Sequence, residues 1–208
     1  MPLVALPELM DAAERGRYAV PAFNAYNAES AAAIIRTAEK LRSPLIVQVY
    51  NRLFASSDAM NVGACVRAMA MESRIPIVLH LDHGAGEREV VRAIRYGFSS
   101  VMIDGSMLDF NSNIELTARV VGLARHVDMG VEGELGHVGR ADQEIDESTF
   151  TDPEEAAMFA ERTGVTILAV MVGSAHGTYK VAPKLDIERI AAIKRRPALD
   201  CRIQRDAE

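Results

Sequence analysis

Two histidines, each directly before a glycine at the end of an apolar run, stand out as residues whose setting could do chemistry. They are His83 in Ile75–Gly84 (IPIVLHLDHG) and His176 in Val172–Lys180 (VGSAHGTYK). Asp82 precedes the first of them, Asp104 lies in Met102–Ser106 (MIDGS), and Glu132 and Glu134 lie in Glu132–Gly136 (EGELG). Neutral imidazole nitrogens with anionic oxygens form the donor set of a divalent metal, at about 2 Å from the ion. A glycine beside each histidine removes bulk that would crowd a ligand. His83 and His176 are therefore the candidate metal ligands. Neighbouring side chains on a strand point to opposite faces, which separates Asp82 from His83 and leaves Asp82 for proton transfer. His80 shares the pleat phase of Asp82 and reads as a buried structural histidine, while His126 and His137 lack a comparable setting.

Such residues need a scaffold that brings distant segments together. Short apolar runs at Tyr18–Phe23, Leu45–Val49, Ile75–Leu81, Ser100–Ile103, Gly130–Leu135 and Thr166–Val172 alternate with helical periodicities, such as Ala31, Ile34, Ile35, Ala38 and Leu41. Asp152-Pro-Glu-Glu155 carries the marks of a helix start, with a capping aspartate and a proline in the first turn. Six βα units follow, and apolar strands each followed by a helix imply a parallel sheet covered by helices. The first strand-to-helix turn, residues 23–30, has no glycine-rich phosphate fingerprint, which weakens a dinucleotide fold. Asn24, Asp82, His83, Asp104, Glu132, Glu134 and His176 all fall at or just past strand C-termini, the rim where barrel enzymes keep their sites. The expected fold is an α/β (β/α)8 TIM barrel of which residues 1–196 hold about six of the eight units. Residues 197–208 read as a polar tail without strand periodicity.

The chain has 208 residues, about half of them apolar, a formal charge of -6 and two cysteines in no metal or redox spacing. The acidic balance argues against a nucleic-acid partner, since neutralising phosphates takes clustered Lys and Arg. The basic run Lys194-Arg-Arg196 complements a helix C-terminus instead. No stretch approaches the roughly 20 apolar residues of a membrane span, and the N-terminus lacks a targeting pattern. A cytoplasmic protein without membrane contact is expected.

LHLDHG, MIDGS, EGELG and VGSAHGTYK, in this order, resemble the zinc-dependent class II ketose-bisphosphate aldolases, the fructose- and tagatose-bisphosphate enzymes. The likeness runs from about Val20 to Ile193 and implies reversible aldol cleavage of a ketose 1,6-bisphosphate to dihydroxyacetone phosphate and an aldehyde. It implies Zn2+ held by His83 and His176, and Asp82 as proton donor and acceptor. It also implies Asp104 and Glu134 as ligands of a second or displaced ion, Gly177 as a backbone contact to the substrate phosphate, and Asn24 close to the substrate. A homodimer or homotetramer is implied for the complete family member. Zinc gripping the substrate oxygens stabilises the charge left by carbon–carbon cleavage, so no lysine Schiff base is required.

The family's third zinc histidine and second phosphate loop have no counterpart up to Glu208, and the tail from Pro197 contains no histidine. Tyr50-Asn-Arg-Leu53 replaces a segment of small residues, and Val181 stands where the family has glycine. A truncated, non-catalytic chain, inactive alone or associated with another subunit, is the rival expectation. A metal-free isomerase using Asp82 with a glutamate is a third. Zinc content and activity dependent on dihydroxyacetone phosphate separate them.

Overall fold

A computed structural model describes residues 3–139, 146–180 and 182–195, and the backbone of 202–204. Val181, Arg196 and, apart from the backbone of 202–204, the polar tail with Cys201 lie outside the described residues. Seven strands form one sheet in chain order: β1 (Ala22–Asn24), β2 (Leu45–Tyr50), β3 (Ile77–Gly84), β4 (Ser100–Ile103), β5 (Gly130–Leu135), β6 (Ile167–Val170) and β7 (Arg202–Gln204). Every neighbouring pair is parallel. Helix α1 (Leu6–Gly16) precedes β1, and α2 (Ala28–Leu41), α3 (Asp58–Glu72), α4 (Glu87–Tyr96), α5 (Phe110–Arg125), α6 (Pro153–Thr163) and α7 (Ile187–Lys194) follow β1 to β6 in turn. The six expected βα units are all present, forming part of a (β/α)8 barrel. Strand β7, inside the stretch read as a polar tail, was not expected; parallel pairing with β6 is a backbone interaction, which side-chain composition need not announce.

Strand alternation sorts the side chains into two cores. Val47, Val49, Ile77, Leu79, Leu81, Val101 and Ile103 face outward into the layer between sheet and helices, with Ile35, Val66, Val90, Val121 and Phe159. The inward set at the strand starts, Ala22, Ile46, Val78 and Ile167, packs on Val4, Leu6 and Leu9. Helix α1 thus plugs the N-terminal end of the sheet's inner face. Gly130 makes this possible, because a Cβ there would lie 2.9 Å from Leu6 Cβ. Burying each such aliphatic side chain contributes about 1.5–3 kcal/mol. With that end closed by apolar packing, polar residues on the inner face collect toward the C-terminal rim.

The caps follow the local signals. Asp152 accepts hydrogen bonds from the Glu154 and Glu155 amides at 2.8 and 3.2 Å, starting α6 as expected. Asn27 and Ser30 form a reciprocal capping box on α2, which fixes where the chain leaves Asn24. At the other end of the helical series, Lys194 in the last turn of α7 donates to Glu14 of α1 at 2.6 Å. No helix among the described residues is long and apolar enough to cross a membrane.

Candidate active site

The end of β3 departs from the strand alternation assumed above. His83 has φ 50°, and the register with β4 shifts by one residue between Leu81 and Gly84. An extra residue of this kind re-aims the side chains that follow it. Asp82 and His83 therefore do not face apart: His83 Nε2 lies 3.9 Å from Asp82 Oδ1. Asn51, in the 3₁₀ turn Asn51–Ala55 after β2, donates its amide to the His83 carbonyl and supports this backbone.

Asp82 is almost wholly buried, between two neutral amides. Asn24 Nδ2 donates to its Oδ2 at 3.1 Å, and Gln48 Nε2 lies 3.4 Å from Oδ1. Amides on β1 and β2 thus orient a carboxylate on β3. On the far side, His83 Nδ1 lies 2.8 Å from Asp104 Oδ2 and 3.6 Å from Glu134 Oε2. Ser106 donates from both its amide (3.0 Å) and its hydroxyl (2.7 Å) to Asp104 Oδ1. The Val138 amide donates to Glu134 Oε1 at 3.3 Å. Asn113 on α5 donates to the Glu134 carbonyl at 2.8 Å, and Gly105 admits it, since a Cβ there would meet Asn113 Oδ1 at 2.2 Å.

These charges set one another's protonation. Burial pushes the His83 imidazolium down, but the Asp104 hydrogen bond and the charges of Asp82 and Glu134 outweigh it and raise the group to about 10. Burial opposes ionisation of Asp104, yet hydrogen bonds from His83 and Ser106 lower it to about 2. Glu134 is raised to about 8 by burial and by the charge of Asp104. One ligand atom each from His83, Asp104 and Glu134 lie within 4.8 Å of one another. In the metal-free protein protons hold the place of a cation, so the donor set fits a divalent ion.

The structure brings His83, Asp82, Asn24, Asp104 and Glu134 together. His176, on the segment after β6, joins them with its ring centroid 5.3 Å from that of His83. Gly177 follows it, exposed and at φ 96°, on a loop where the Tyr179 hydroxyl accepts from the Ala175 amide at 2.6 Å. Glu132 departs from the expectation that it lies on the rim. It is the third residue of β5, fully buried, and its Oε2 lies 3.3 Å from His80 Nε2. His80 is the buried histidine its pleat phase implied, with Nδ1 2.8 Å from the Ser100 hydroxyl. Sequence reasoning missed Gln48, Ser106 and Tyr50, whose ring sits edge-to-face on His83 at 6.0 Å. Gln48 left a signal, a polar residue breaking the apolar run LIVQV.

Compared with known proteins, residues 4–201 match the family model described as fructose-bisphosphate aldolase class-II. Among solved structures, the YdjI aldolase from Escherichia coli K12 is similar with a TM-score of 0.85 and 30% identity, over 97% of this chain and 71% of that one. A putative fructose-1,6-biphosphate aldolase from Coccidioides immitis follows with a TM-score of 0.78 and 32% identity, over 91% and 68%. The fructose-bisphosphate aldolase of Campylobacter jejuni gives a TM-score of 0.76 and 26% identity, over 96% and 67%.

Proposed function

This chain belongs to the class-II fructose-bisphosphate aldolase family, and from that premise we propose that it acts in the reversible, zinc-dependent cleavage of a ketose 1,6-bisphosphate, of fructose or tagatose type, to dihydroxyacetone phosphate and an aldehyde. The observation that carries this reading is the partition of charge around His83. Two carboxylates, Asp104 and Glu134, lie on its Nδ1 side, while Asp82 lies apart on its Nε2 side, held by neutral amides.

Each residue then has a role. Asp104 fixes the His83 ring through Nδ1, an arrangement that orients metal-ligating histidines and leaves the other nitrogen for the ion. His176 adds the second imidazole, and Asp104 and Glu134 offer oxygens to a second or displaced ion. When bound, zinc supplies a Lewis acid for the substrate's ketone and hydroxyl oxygens. Asp82 accepts the proton of the hydroxyl on the carbon that becomes the aldehyde, and returns it in condensation. Asn24 and Gln48 hold its two oxygens so that proton transfer starts from one geometry. Asn24 also lies within reach of the substrate, and the backbone of Gly177, on the loop after His176, serves the substrate phosphate.

Metal analysis of protein purified without chelator, paired with condensation of dihydroxyacetone phosphate and glyceraldehyde 3-phosphate, tests the reading. One zinc per chain and consumption that chelator stops and zinc restores are expected. Folded protein that takes up no zinc would sink it. A second reading, zinc binding with turnover only beside another polypeptide, is favoured by the open order of the described strands, in which β7 does not pair back to β1. Bound zinc without consumption of dihydroxyacetone phosphate selects it.

A further inference from the structure

We propose that Arg52 recognises an anionic group, carboxylate or phosphate, at the far end of the aldehyde half of the substrate; this rests on the aldolase reading above. Strand order gives the direction. Glu134 and His83 lie on β5 and β3 and Asp104 directly follows β4, whereas the amides on Asp82 come from β2 and β1. Asp82 takes the proton of the aldehyde half, so that half extends from Asp82 away from the carboxylates, over the ends of β1 and β2. Tyr50 shares the inward pleat phase of Gln48 and stands opposite Asp82 in the register.

Arg52 follows in the 3₁₀ turn, and its guanidinium carbon lies 5.8 Å from the centre of the Tyr50 ring. That ring is 6.0 Å from the His83 ring, so the guanidinium is two short steps from the imidazole. Arg52 is exposed and makes no ion pair among the described residues, so its charge is available to a ligand. The turn is not loose, because Phe54 within it is buried in the outer core and Asn51 is tied to the His83 carbonyl. Asp104 puts a negative charge on the β5 side of His83, which disfavours an anion there and favours one beside a cation on the β2 side. A planar guanidinium pairs with two oxygens of a carboxylate or a phosphate at once.

The test condenses dihydroxyacetone phosphate with neutral glyceraldehyde, with glyceraldehyde 3-phosphate and with succinic semialdehyde, a carboxylate-ended aldehyde. Arg52→Ala is expected to raise KM about tenfold for an anionic aldehyde while glyceraldehyde changes less than about twofold, and Arg52→Lys to recover part of the loss. Whichever anionic aldehyde loses more identifies the group that is read. Equal losses for all three aldehydes, or no loss for either anionic one, overturn the proposal. If the unaltered protein condenses none of them, the catalytic reading fails separately. Calorimetric titration of the zinc-loaded protein with inert glycerol 3-phosphate and glycerate then decides: affinity about tenfold weaker in Arg52→Ala supports the site, and equal affinity or no binding overturns it.

Discussion

Strands β3, β4 and β5 place a histidine among their neighbours' side chains at two depths, and only the upper one is built for chemistry. In the lower layer His80 meets Ser100 at 2.8 Å and Glu132 at 3.3 Å, and all three are sealed, at 1%, 0% and 1% exposure. Three residues further along β3, His83 meets Asp104 at 2.8 Å and Glu134 at 3.6 Å, with side-chain exposures of 16% for His83 and 23% for Asp104. The lower trio sets one carboxylate and one hydroxyl against one imidazole, so it ties the three strands together with a single acid facing the histidine. Exchanging the hydroxyl for a second carboxylate and opening the layer to solvent produces an excess of anionic oxygen that a cation relieves. The same three strands thus make a structural tie below and a candidate metal centre above.

The sharpest break between the layers is expected from Asp82→Asn. Turnover should fall about 10²- to 10⁴-fold while bound zinc stays, because proton transfer is lost and the donors on His83 are untouched; steady-state rates with metal analysis check this. In the lower layer, Glu132→Ala leaves His80 buried without its acid and should lower unfolding free energy by about 3–5 kcal/mol with zinc stoichiometry unchanged. Urea melts read that loss, and Glu132→Gln, which keeps a hydrogen-bonding group, should show a smaller one.

The pH response belongs to the upper layer alone. His83 and Glu134 bind protons more tightly folded than unfolded. Their stabilisation of the metal-free fold is therefore full below 6.5 and 4.5, and is lost as pH rises through about 10 and about 8. Asp104 works in the opposite sense, stabilising above 3.8 and ceasing to as pH falls through about 2. Metal-free protein should melt at lower temperature as pH rises from 6.5 toward 10, zinc should bind more tightly over the same range, and binding near pH 7 should release protons. Calorimetry in buffers of different ionisation enthalpy reads the release. The smallest effect is expected from Gln48→Ala, which frees one oxygen of Asp82 and should cost about tenfold in kcat without changing zinc content.

Much of the upper layer was legible in the sequence, because its residues end apolar strands and the positions of strand ends follow from hydrophobic periodicity. Asp82, His83, Asp104 and Glu134 were found in this way. Their mutual arrangement was not, because strict alternation puts Asp82 and His83 on opposite faces and a one-residue register shift leaves no mark in the order of residue types. Glu132 was placed on the rim because it is acidic and near Glu134; its depth depends on where β5 starts relative to β4, which only the pairing of Met102 with Glu132 fixes. Ser106 bonds Asp104 from two residues away, inside MIDGS, where residue type does not give the side chain's direction, whereas Tyr50 acts through a contact with His83 far along the chain, where local pattern is silent.

The zinc content of His83→Ala beside that of His80→Gln, each purified without chelator and confirmed folded by circular dichroism, tests the division between the two layers most directly. One zinc per chain in the unaltered protein and in His80→Gln, with none held by His83→Ala, is the predicted result. Zinc retained by His83→Ala, or lost from a folded His80→Gln, would contradict it.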